Sequence, residues 1–361
     1  MSLASKTPRL IALLVVSGLL CLGMACSGER GGAGTAGSTI NLQGAGATFP
    51  NPLYQKWLSE YGKLHPNVRI DYQSIGSGGG IKQIKEQTVD FGASDAPMKD
   101  DDLKSAPGEL LHVPTVLGAV VLTYNLPGIE KPLRFSPDVA ADIFLGTIKK
   151  WNDARIKTDN PDANLPTTDI TVVHRSDGSG TSAVFTDYLS KVSSQWKEQV
   201  GTGTSPKWPV GLGGKGNEGV TGQVKQTPNT IGYVELAYAI QNKLPVALLK
   251  NKAGDFVEPT FEAVTAAAAE SLPTTPDDLR VSITDAAGKG AYPISSYTYI
   301  LLYKDQHDAV KGKSLVDFLW WGIHEGEQYA KDLNYAPLPG EIVKRAEAKI
   351  NSVVSGGKPL R

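Results

Sequence analysis

Strand-like and helix-like segments alternate along this chain, and this alternation restricts the fold more than any other feature of the sequence. Helical periodicity at 48–64 precedes alternating apolar residues at 68–72 that are typical of a strand. A loop at 76–80, a short helix at 81–87 and a strand at 89–93 are predicted next. This βαβ order predicts a mainly parallel sheet covered by helices, that is, an α/β fold.

Two long β-rich segments divide the rest of the chain and predict two crossings between separate lobes. They occupy 113–124 and 292–302, and between them the helix–strand order repeats. A length of 361 residues is too great for one ordinary core and fits two domains. We therefore expect one lobe formed by 40–117 together with 294–361, and a second lobe formed by 118–293.

The N-terminus carries the features of an export signal. Two basic residues precede a mostly apolar run at 11–22, which is too short to span a bilayer comfortably and is typical of a signal-peptide core. Cys26 follows a small residue and resembles the lipidation cysteine of a bacterial lipoprotein. We expect 1–26 to be a signal peptide that ends at this cysteine, and the Gly-, Ala- and Ser-rich 27–39 to be a flexible tether.

Both cysteines of the chain, Cys21 and Cys26, lie in this N-terminal region. If Cys26 is lipidated, the mature domain contains no free thiol and no disulfide, even in an oxidising compartment. Gly23 stands where the lipoprotein motif prefers an aliphatic residue, and a permanent signal anchor is the alternative to cleavage. The expected location is therefore periplasmic or otherwise extracytoplasmic, with a lipid anchor that holds the chain to a membrane.

Three stretches rich in Gly, Ser and Thr each stand where a strand or loop leads into a helix. The first N–H groups of a helix lack internal partners, and the helix dipole is positive there. Glycines let the backbone approach a ligand and hydroxyl groups add donors, so such junctions suit a small oxyanion. One junction alone is more often a simple N-cap. The three junctions are at 44–50, 76–80 and 175–181.

Charged residues accompany these junctions. Arg175 can offer a planar fork of N–H donors to an oxyanion, or pair with Asp177 as a surface arginine, and both can hold together. Asp95 follows the strand at 89–93 and, taken alone, is a turn or capping residue. In an anion site, a carboxylate repels a fully ionised oxyanion but accepts a hydrogen bond from a protonated one. Because phosphate keeps a proton near neutral pH and sulfate does not, Asp95 would select phosphate.

The sequence shows no sign of several other classes of function. The net charge is −1, so no general basic field is present to attract nucleic acid. The five histidines have no metal-ligand spacing and no nucleophile with a base is recognisable, so we expect neither an enzyme nor a metal or other cofactor. The stretch at 211–216 resembles a P-loop only loosely, with Asn217 in place of the Ser or Thr, and is interpreted as a surface loop.

The junction motifs, taken together, closely resemble the PstS family, the phosphate-binding components of bacterial ABC-type importers. The resemblance runs from about Ile40 to the C-terminal Gly-Lys-Pro-Leu, essentially the whole mature chain. One departure is Gly78, where related sequences often carry a second serine. The matching stretches are GAGATFP at 44–50, IGSGGGIKQI at 75–84, VDFGASDAP at 89–97, RSDGSGT at 175–181, WPVGLGGKGNEG at 208–219 and IGYVE at 231–235.

This resemblance implies two α/β lobes of the periplasmic-binding-protein type, joined by a two-strand hinge and closing over one phosphate. The implied function is high-affinity capture of inorganic phosphate outside the cytoplasm, by a monomer, for the permease and ATPase subunits of an ABC importer. Arg175 would supply charge and Asp95 would recognise the proton of the anion. The resemblance places eight residues around phosphate: Thr48, Phe49, Ser77, Asp95, Arg175, Ser179, Gly180 and Thr181.

Three other functions remain open. A receptor for another tetrahedral oxyanion, such as sulfate or molybdate, would share the junctions, although Asp95 argues against it. A secreted phosphatase on the same fold would need a nucleophile with a base, or paired metals. An adhesive or structural surface protein would be expected to show repeats, and the sequence has no long internal repeat.

Overall fold

The computed structural model describes residues 39–361, so the predicted signal peptide, Cys26 and nearly all of the tether lie outside the described residues. None of the described helices is long and apolar enough to cross a membrane. The strands are β1 (Ile40–Gly46), β2 (Val68–Ser74), β3 (Phe91–Ser94), β4 (Leu110–Asn125), β5 (Arg134–Phe135), β6 (Thr171–Arg175), β7 (Leu212–Gly214), β8 (Thr230–Glu235), β9 (Leu248–Lys250), β10 (Phe256–Val257), β11 (Ser295–Tyr303), β12 (Val354–Ser355) and β13 (Lys358–Pro359). The helices are α1 (Asn51–Leu64), α2 (Ser77–Lys85), α3 (Asp100–Lys104), α4 (Pro137–Leu145), α5 (Ala154–Asp159), α6 (Gly180–Val192), α7 (Ser194–Gln199), α8 (Gly216–Gln226), α9 (Leu236–Gln241), α10 (Phe261–Ser271), α11 (Ala309–Gly322) and α12 (Gly340–Asn351).

Eight of these strands form one mixed sheet in the order β2–β1–β3–β11–β4–β8–β6–β7. Strand β1 pairs in parallel with β2 and β3, and β6 pairs in parallel with β7 and β8. Strand β11 runs antiparallel to β3 and β4, and β4 runs antiparallel to β8. The predicted α/β fold is therefore confirmed, with two groups of parallel strands separated by the antiparallel strands β11 and β4.

The long strand β4 connects the two groups of parallel strands. It pairs with β11 as far as Ala119 and with β8 from Val120 onward. The N–H of Val120 also donates to the carbonyl of Ile294, just before β11, over 2.8 Å. The change of partner falls within the apolar segment at 113–124, so that segment is one continuous strand that serves both halves of the sheet.

Apolar residues at helical spacing explain how α1 packs on the sheet. Leu53, Trp57 and Tyr61 are buried on one face of α1, as the periodicity predicted. Complete burial of a large apolar side chain contributes about 1.5–3 kcal/mol to stability. Leu64 was predicted on the same face but is 63% exposed, because α1 ends at this residue and the chain turns away towards Pro66.

Helix α2 begins earlier than the sequence predicted. The predicted loop at 76–80 is wrong beyond its first residue, since α2 starts at Ser77 and includes three glycines. Gly76 precedes the helix with a φ of 88°, a conformation that favours glycine. Gly80 lies so close to the backbone of Gly46 that a Cβ atom would clash with it. Close packing of α2 against the end of β1 therefore explains glycines that helix propensity disfavours.

Candidate functional site

The three predicted junctions meet at the C-terminal ends of the parallel strands. Thr48 lies between β1 and α1, Ser77 is the first residue of α2, and Gly180 is the first residue of α6. A Cβ atom on Gly180 would collide with the Ser77 hydroxyl and with the Asp95 carboxylate, so these three residues are in direct contact. All eight residues predicted around the anion are buried, and the structure brings the three helix N-termini to one place.

The start of α6 presents two unpaired backbone donors. The N–H groups of Gly180 and Thr181 are the first two of the helix and have no intrahelical acceptor. Ser179 is the N-cap, and its Oγ accepts a hydrogen bond from the N–H of Ser182 over 3.0 Å. Because the Ser179 N–H already donates to the carbonyl of Thr204, Ser179 can offer a ligand only its hydroxyl hydrogen.

Arg175 is held in one orientation by a bidentate ion pair. Its Nε donates to Asp177 Oδ1 over 2.8 Å and its Nη2 donates to Asp177 Oδ2 over 2.6 Å. Asp177 Oδ1 also accepts from the N–H of Gly216, over 2.9 Å. Burial raises the pKa of Asp177, but its hydrogen bonds to Arg175 outweigh burial and hold that pKa below its usual range. Asp177 therefore orients Arg175, as the sequence suggested, and Arg175 Nη1 has no partner among residues 39–361.

Asp95 is a buried carboxylate with one satisfied oxygen. Its Oδ1 accepts a hydrogen bond from the hydroxyl of Thr298 in β11 over 2.9 Å, whereas Oδ2 has no partner in the described part of the chain. Burial raises the pKa of Asp95 to about 7, against the opposing effects of the Thr298 hydrogen bond and the Arg175 charge. Asp95 can therefore be ionised or protonated near neutral pH, and it can accept or donate a hydrogen bond accordingly.

Comparisons with known proteins show the family to which the chain belongs. A family model described as the PBP superfamily domain matches residues 31–320. The phosphate-binding protein PstS of Xylella fastidiosa is 48% identical over 311 residues, covering 86% of this chain and 85% of that protein. The corresponding protein of Pasteurella multocida is 48% identical over 322 residues, covering 88% of this chain and 93% of its own length. The chain belongs to the PstS family of the PBP superfamily.

Solved structures of phosphate-binding proteins share the fold of this PstS-family chain. A phosphate ABC transporter substrate-binding protein from Clostridium perfringens, solved with bound phosphate, has a TM-score of 0.61 at 19% identity, with 83% of this chain and 100% of that chain covered. The phosphate-binding protein of Stenotrophomonas maltophilia has a TM-score of 0.66 at 21% identity, with 86% and 93% covered. These likenesses establish a two-lobe α/β architecture for the chain.

Gly78, the departure from the PstS-family motif, belongs to the second junction and lies against the third. Its N–H donates to the carbonyl of Gly178 over 2.8 Å. A Cβ atom on Gly78 would lie 3.0 Å from the Cα of Gly178, closer than nearly all Cβ contacts. The missing serine hydroxyl is therefore accompanied by a close contact between two glycines, one at the start of α2 and the other before α6.

The PstS-family stretch at 208–219 contains a residue that the sequence interpretation misplaced. The surface-loop prediction for 211–216 is wrong for four of its six residues, because β7 occupies Leu212–Gly214 and α8 begins at Gly216. Asn217 is fully buried and contacts both Thr48 and Thr181. The signal that could have found it is an amide residue at the first turn of an apolar helix, next to a glycine-rich strand.

His174 and Trp321 pack against other groups of the protein. The ring of His174 stacks on Trp208 with 5.0 Å between ring centroids, and its Nδ1 lies 3.0 Å from the carbonyl of Arg175. Trp321 is buried in the core. Within residues 39–361, no three His, Cys, Asp or Glu side chains are grouped in a way that could hold a metal ion.

Proposed function

We propose that this chain is a receptor that captures inorganic phosphate outside the cytoplasm and delivers it to an ABC-type importer. The observation that carries the proposal is a pair of buried atoms of opposite hydrogen-bonding character, Asp95 Oδ2 and Arg175 Nη1, without partners among the described residues. Buried polar atoms are nearly always hydrogen-bonded. The pair therefore fits a ligand that both donates and accepts, and phosphate with one proton does both.

The remaining groups of the site add donors around this pair. The positive ends of α1, α2 and α6 favour an anion, and at α6 the N–H groups of Gly180 and Thr181 have no intrahelical acceptor and can bind its oxygens. Hydroxyl groups supply further donors, while Asp95 provides the single acceptor that a protonated anion requires. The proposed phosphate-binding residues are Thr48, Phe49, Ser77, Asp95, Arg175, Ser179, Gly180 and Thr181.

Two alternatives fit the geometry less well. Sulfate and molybdate carry no proton near neutral pH, so an ionised Asp95 would repel them. A phosphatase would need an activated nucleophile or paired metals, and no three possible metal-ligating side chains are grouped within residues 39–361. Release of phosphate from a generic phosphoester would favour the enzyme, whereas we expect binding of free phosphate without hydrolysis.

We also propose that the receptor closes over phosphate by bending between two lobes, 40–117 with 294–361 and 118–293. Support comes from β4, which changes partner between Ala119 and Val120. Contacts that join the proposed lobes include the Gly78–Gly178 hydrogen bond and the ion pair of Arg280 with Asp100, 2.7 Å. An anion bound between the helix N-termini would bridge both sides and favour the closed arrangement.

Small-angle scattering tests function and closure together. Phosphate added to phosphate-free protein should lower the radius of gyration, because the ligand bridges the two proposed lobes. Sulfate at the same concentration and ionic strength is the control and should leave the curve unchanged. Identical curves with and without saturating phosphate would contradict closure. A compaction by both anions would contradict the proposed selectivity.

The proposed mode of attachment is a lipid on Cys26 after removal of 1–26. The supporting observations are the short apolar run and the Gly- and Ser-rich segment that follows the cysteine. Stable anchoring of this kind needs more than one acyl chain. Mass spectrometry of the native N-terminus should find Cys26 as the first residue with lipid attached, and an unmodified terminus elsewhere in 25–38 would overturn this proposal.

A further inference from the structure

Asn217 occupies a central position between the two proposed lobes. It is fully buried at the first turn of α8 and donates from Nδ2 to Thr48 Oγ1 over 2.8 Å and to Thr181 Oγ1 over 3.1 Å. Its own backbone N–H also donates to Thr48 Oγ1, over 3.2 Å. One side chain therefore links Thr48, in the segment between β1 and α1, to Thr181, the second residue of α6.

The orientation of the Asn217 amide is determined by its fourth hydrogen bond. The side-chain Oδ1 accepts from the backbone N–H of Glu235, over 3.0 Å. A backbone N–H can only donate, so the oxygen of the amide must face Glu235 and the nitrogen must face the two threonines. With both Nδ2 hydrogens used and Oδ1 satisfied, Asn217 has no remaining group to offer a ligand directly.

These bonds restrict what the two threonine hydroxyls can do. A hydroxyl group has one donor hydrogen and two acceptor lone pairs. Thr48 Oγ1 accepts from two N–H groups of Asn217, so both of its lone pairs are used and only its hydrogen is available. Thr181 Oγ1 accepts one N–H from the same side chain. Each hydroxyl hydrogen therefore points away from Asn217: that of Thr48 is free to donate elsewhere, and that of Thr181 faces the Asp95 carboxylate at the proposed site.

We infer that Asn217 is a positioning residue that makes Thr48 and Thr181 hydrogen-bond donors towards the bound anion. This inference rests on the proposed phosphate site and extends it to a residue that does not touch the ligand. An anion accepts hydrogen bonds, so hydroxyls that are already oriented as donors bind it without a further loss of rotational freedom. The partners of Asn217 lie in both proposed lobes, Thr48 in the first and Thr181 in the second. Asn217 can therefore orient both hydroxyls only when the two lobes are together.

A purely structural role for Asn217 is the alternative, because a buried, fully hydrogen-bonded asparagine also stabilises a fold. The two roles differ in whether its effect on binding depends on the threonine hydroxyls. A residue that acts through those hydroxyls loses its effect when they are absent, whereas a structural residue does not. A double-mutant cycle measures this dependence.

The experiment compares Asn217→Ala in the unmodified chain and in a Thr48→Val/Thr181→Val chain, by calorimetric titration with inorganic phosphate. In the unmodified chain we expect affinity to fall about tenfold, as for lost charge-assisted hydrogen bonds. In the double-valine chain the same change should cost less than about twofold. An equal loss in both chains would overturn the inference. Failure of the unmodified chain to bind phosphate would instead contradict the proposed function.

A second substitution, Asn217→Asp, keeps the side-chain shape if the alanine variant does not fold. Its carboxylate accepts hydrogen bonds, so it would turn both threonine hydroxyls away from the anion. We expect Asn217→Asp to lower phosphate affinity more than Asn217→Ala does. This difference between the two variants should be smaller in the double-valine chain. Repulsion between the new charge and phosphate would persist in both chains. If the difference between Asn217→Asp and Asn217→Ala were the same in the double-valine chain as in the unmodified chain, that would also contradict the inference.

Discussion

Replacing Arg175 with alanine should lower the affinity for phosphate by at least about 100-fold, or roughly 3 kcal/mol. The substitution removes the unpaired Nη1 donor and leaves the half-buried Asp177 carboxylate without its partner beside the proposed site. Loss of attraction and gain of repulsion act in the same direction. Isothermal titration of phosphate-free protein measures the change. The affinity for sulfate or any other anion should fall as well.

A matched control separates the position of Arg175 from its charge. Arg155 forms an ion pair with Asp153, and its side chain is 42% exposed, so Arg155→Ala removes the same charge from the surface. That variant should bind phosphate as the unmodified chain does. Arg175→Lys keeps the charge but loses the planar fork of donors. Its phosphate affinity should lie between those of Arg175→Ala and Arg155→Ala. Phosphate binding that survives Arg175→Ala unchanged in a folded protein would contradict the proposed site.

Replacing Asp95 with asparagine should change selectivity rather than abolish binding. The amide can still accept a hydrogen bond from protonated phosphate, and it can also donate one. Repulsion towards sulfate should therefore fall more than attraction for phosphate. We expect the phosphate-to-sulfate affinity ratio to fall about tenfold, which corresponds to about 1.4 kcal/mol.

The pH dependence of sulfate binding follows from the same carboxylate. Because burial raises the pKa of Asp95 to about 7, this group gains a proton as pH falls through 7 and becomes a donor. Sulfate affinity of the unmodified chain should therefore rise between pH 8.5 and pH 6, and Asp95→Asn should remove this rise. The surface variant Asp71→Asn, which removes a charge paired with Arg69, is the control and should keep it. If Asp95→Asn left the phosphate-to-sulfate affinity ratio unchanged, Asp95 would not be the residue that selects phosphate.

Local sequence patterns predicted most of the fold and the junctions that meet at the proposed site. The alternation of strands and helices was readable because each element buries an apolar face with its own period. The junctions at Thr48, Ser77 and Ser179 were readable because helix N-termini leave free N–H groups wherever they occur. Asp177 could be assigned as the partner of Arg175 because the two residues are only two positions apart.

Partners that are distant in the chain were not predictable from spacing. Thr298 in β11 binds Asp95 Oδ1, and its position depends on an antiparallel pairing that only the folded sheet reveals. Asn217 directly follows a stretch that resembles a P-loop only loosely, and the spacing does not indicate that it contacts Thr48 and Thr181 at the buried start of a helix. Helix propensity predicts a loop for the glycines of α2, and only the folded structure shows the close packing against Gly46 that requires a glycine there.

The most direct test of the account is calorimetric titration of the unmodified, phosphate-free chain with phosphate and with sulfate at pH 8. At this pH Asp95 is mostly ionised and phosphate still carries a proton. We predict one phosphate bound per chain, with an affinity at least about 100-fold higher than that for sulfate. Equal affinities for the two anions, or no binding of phosphate, would contradict it.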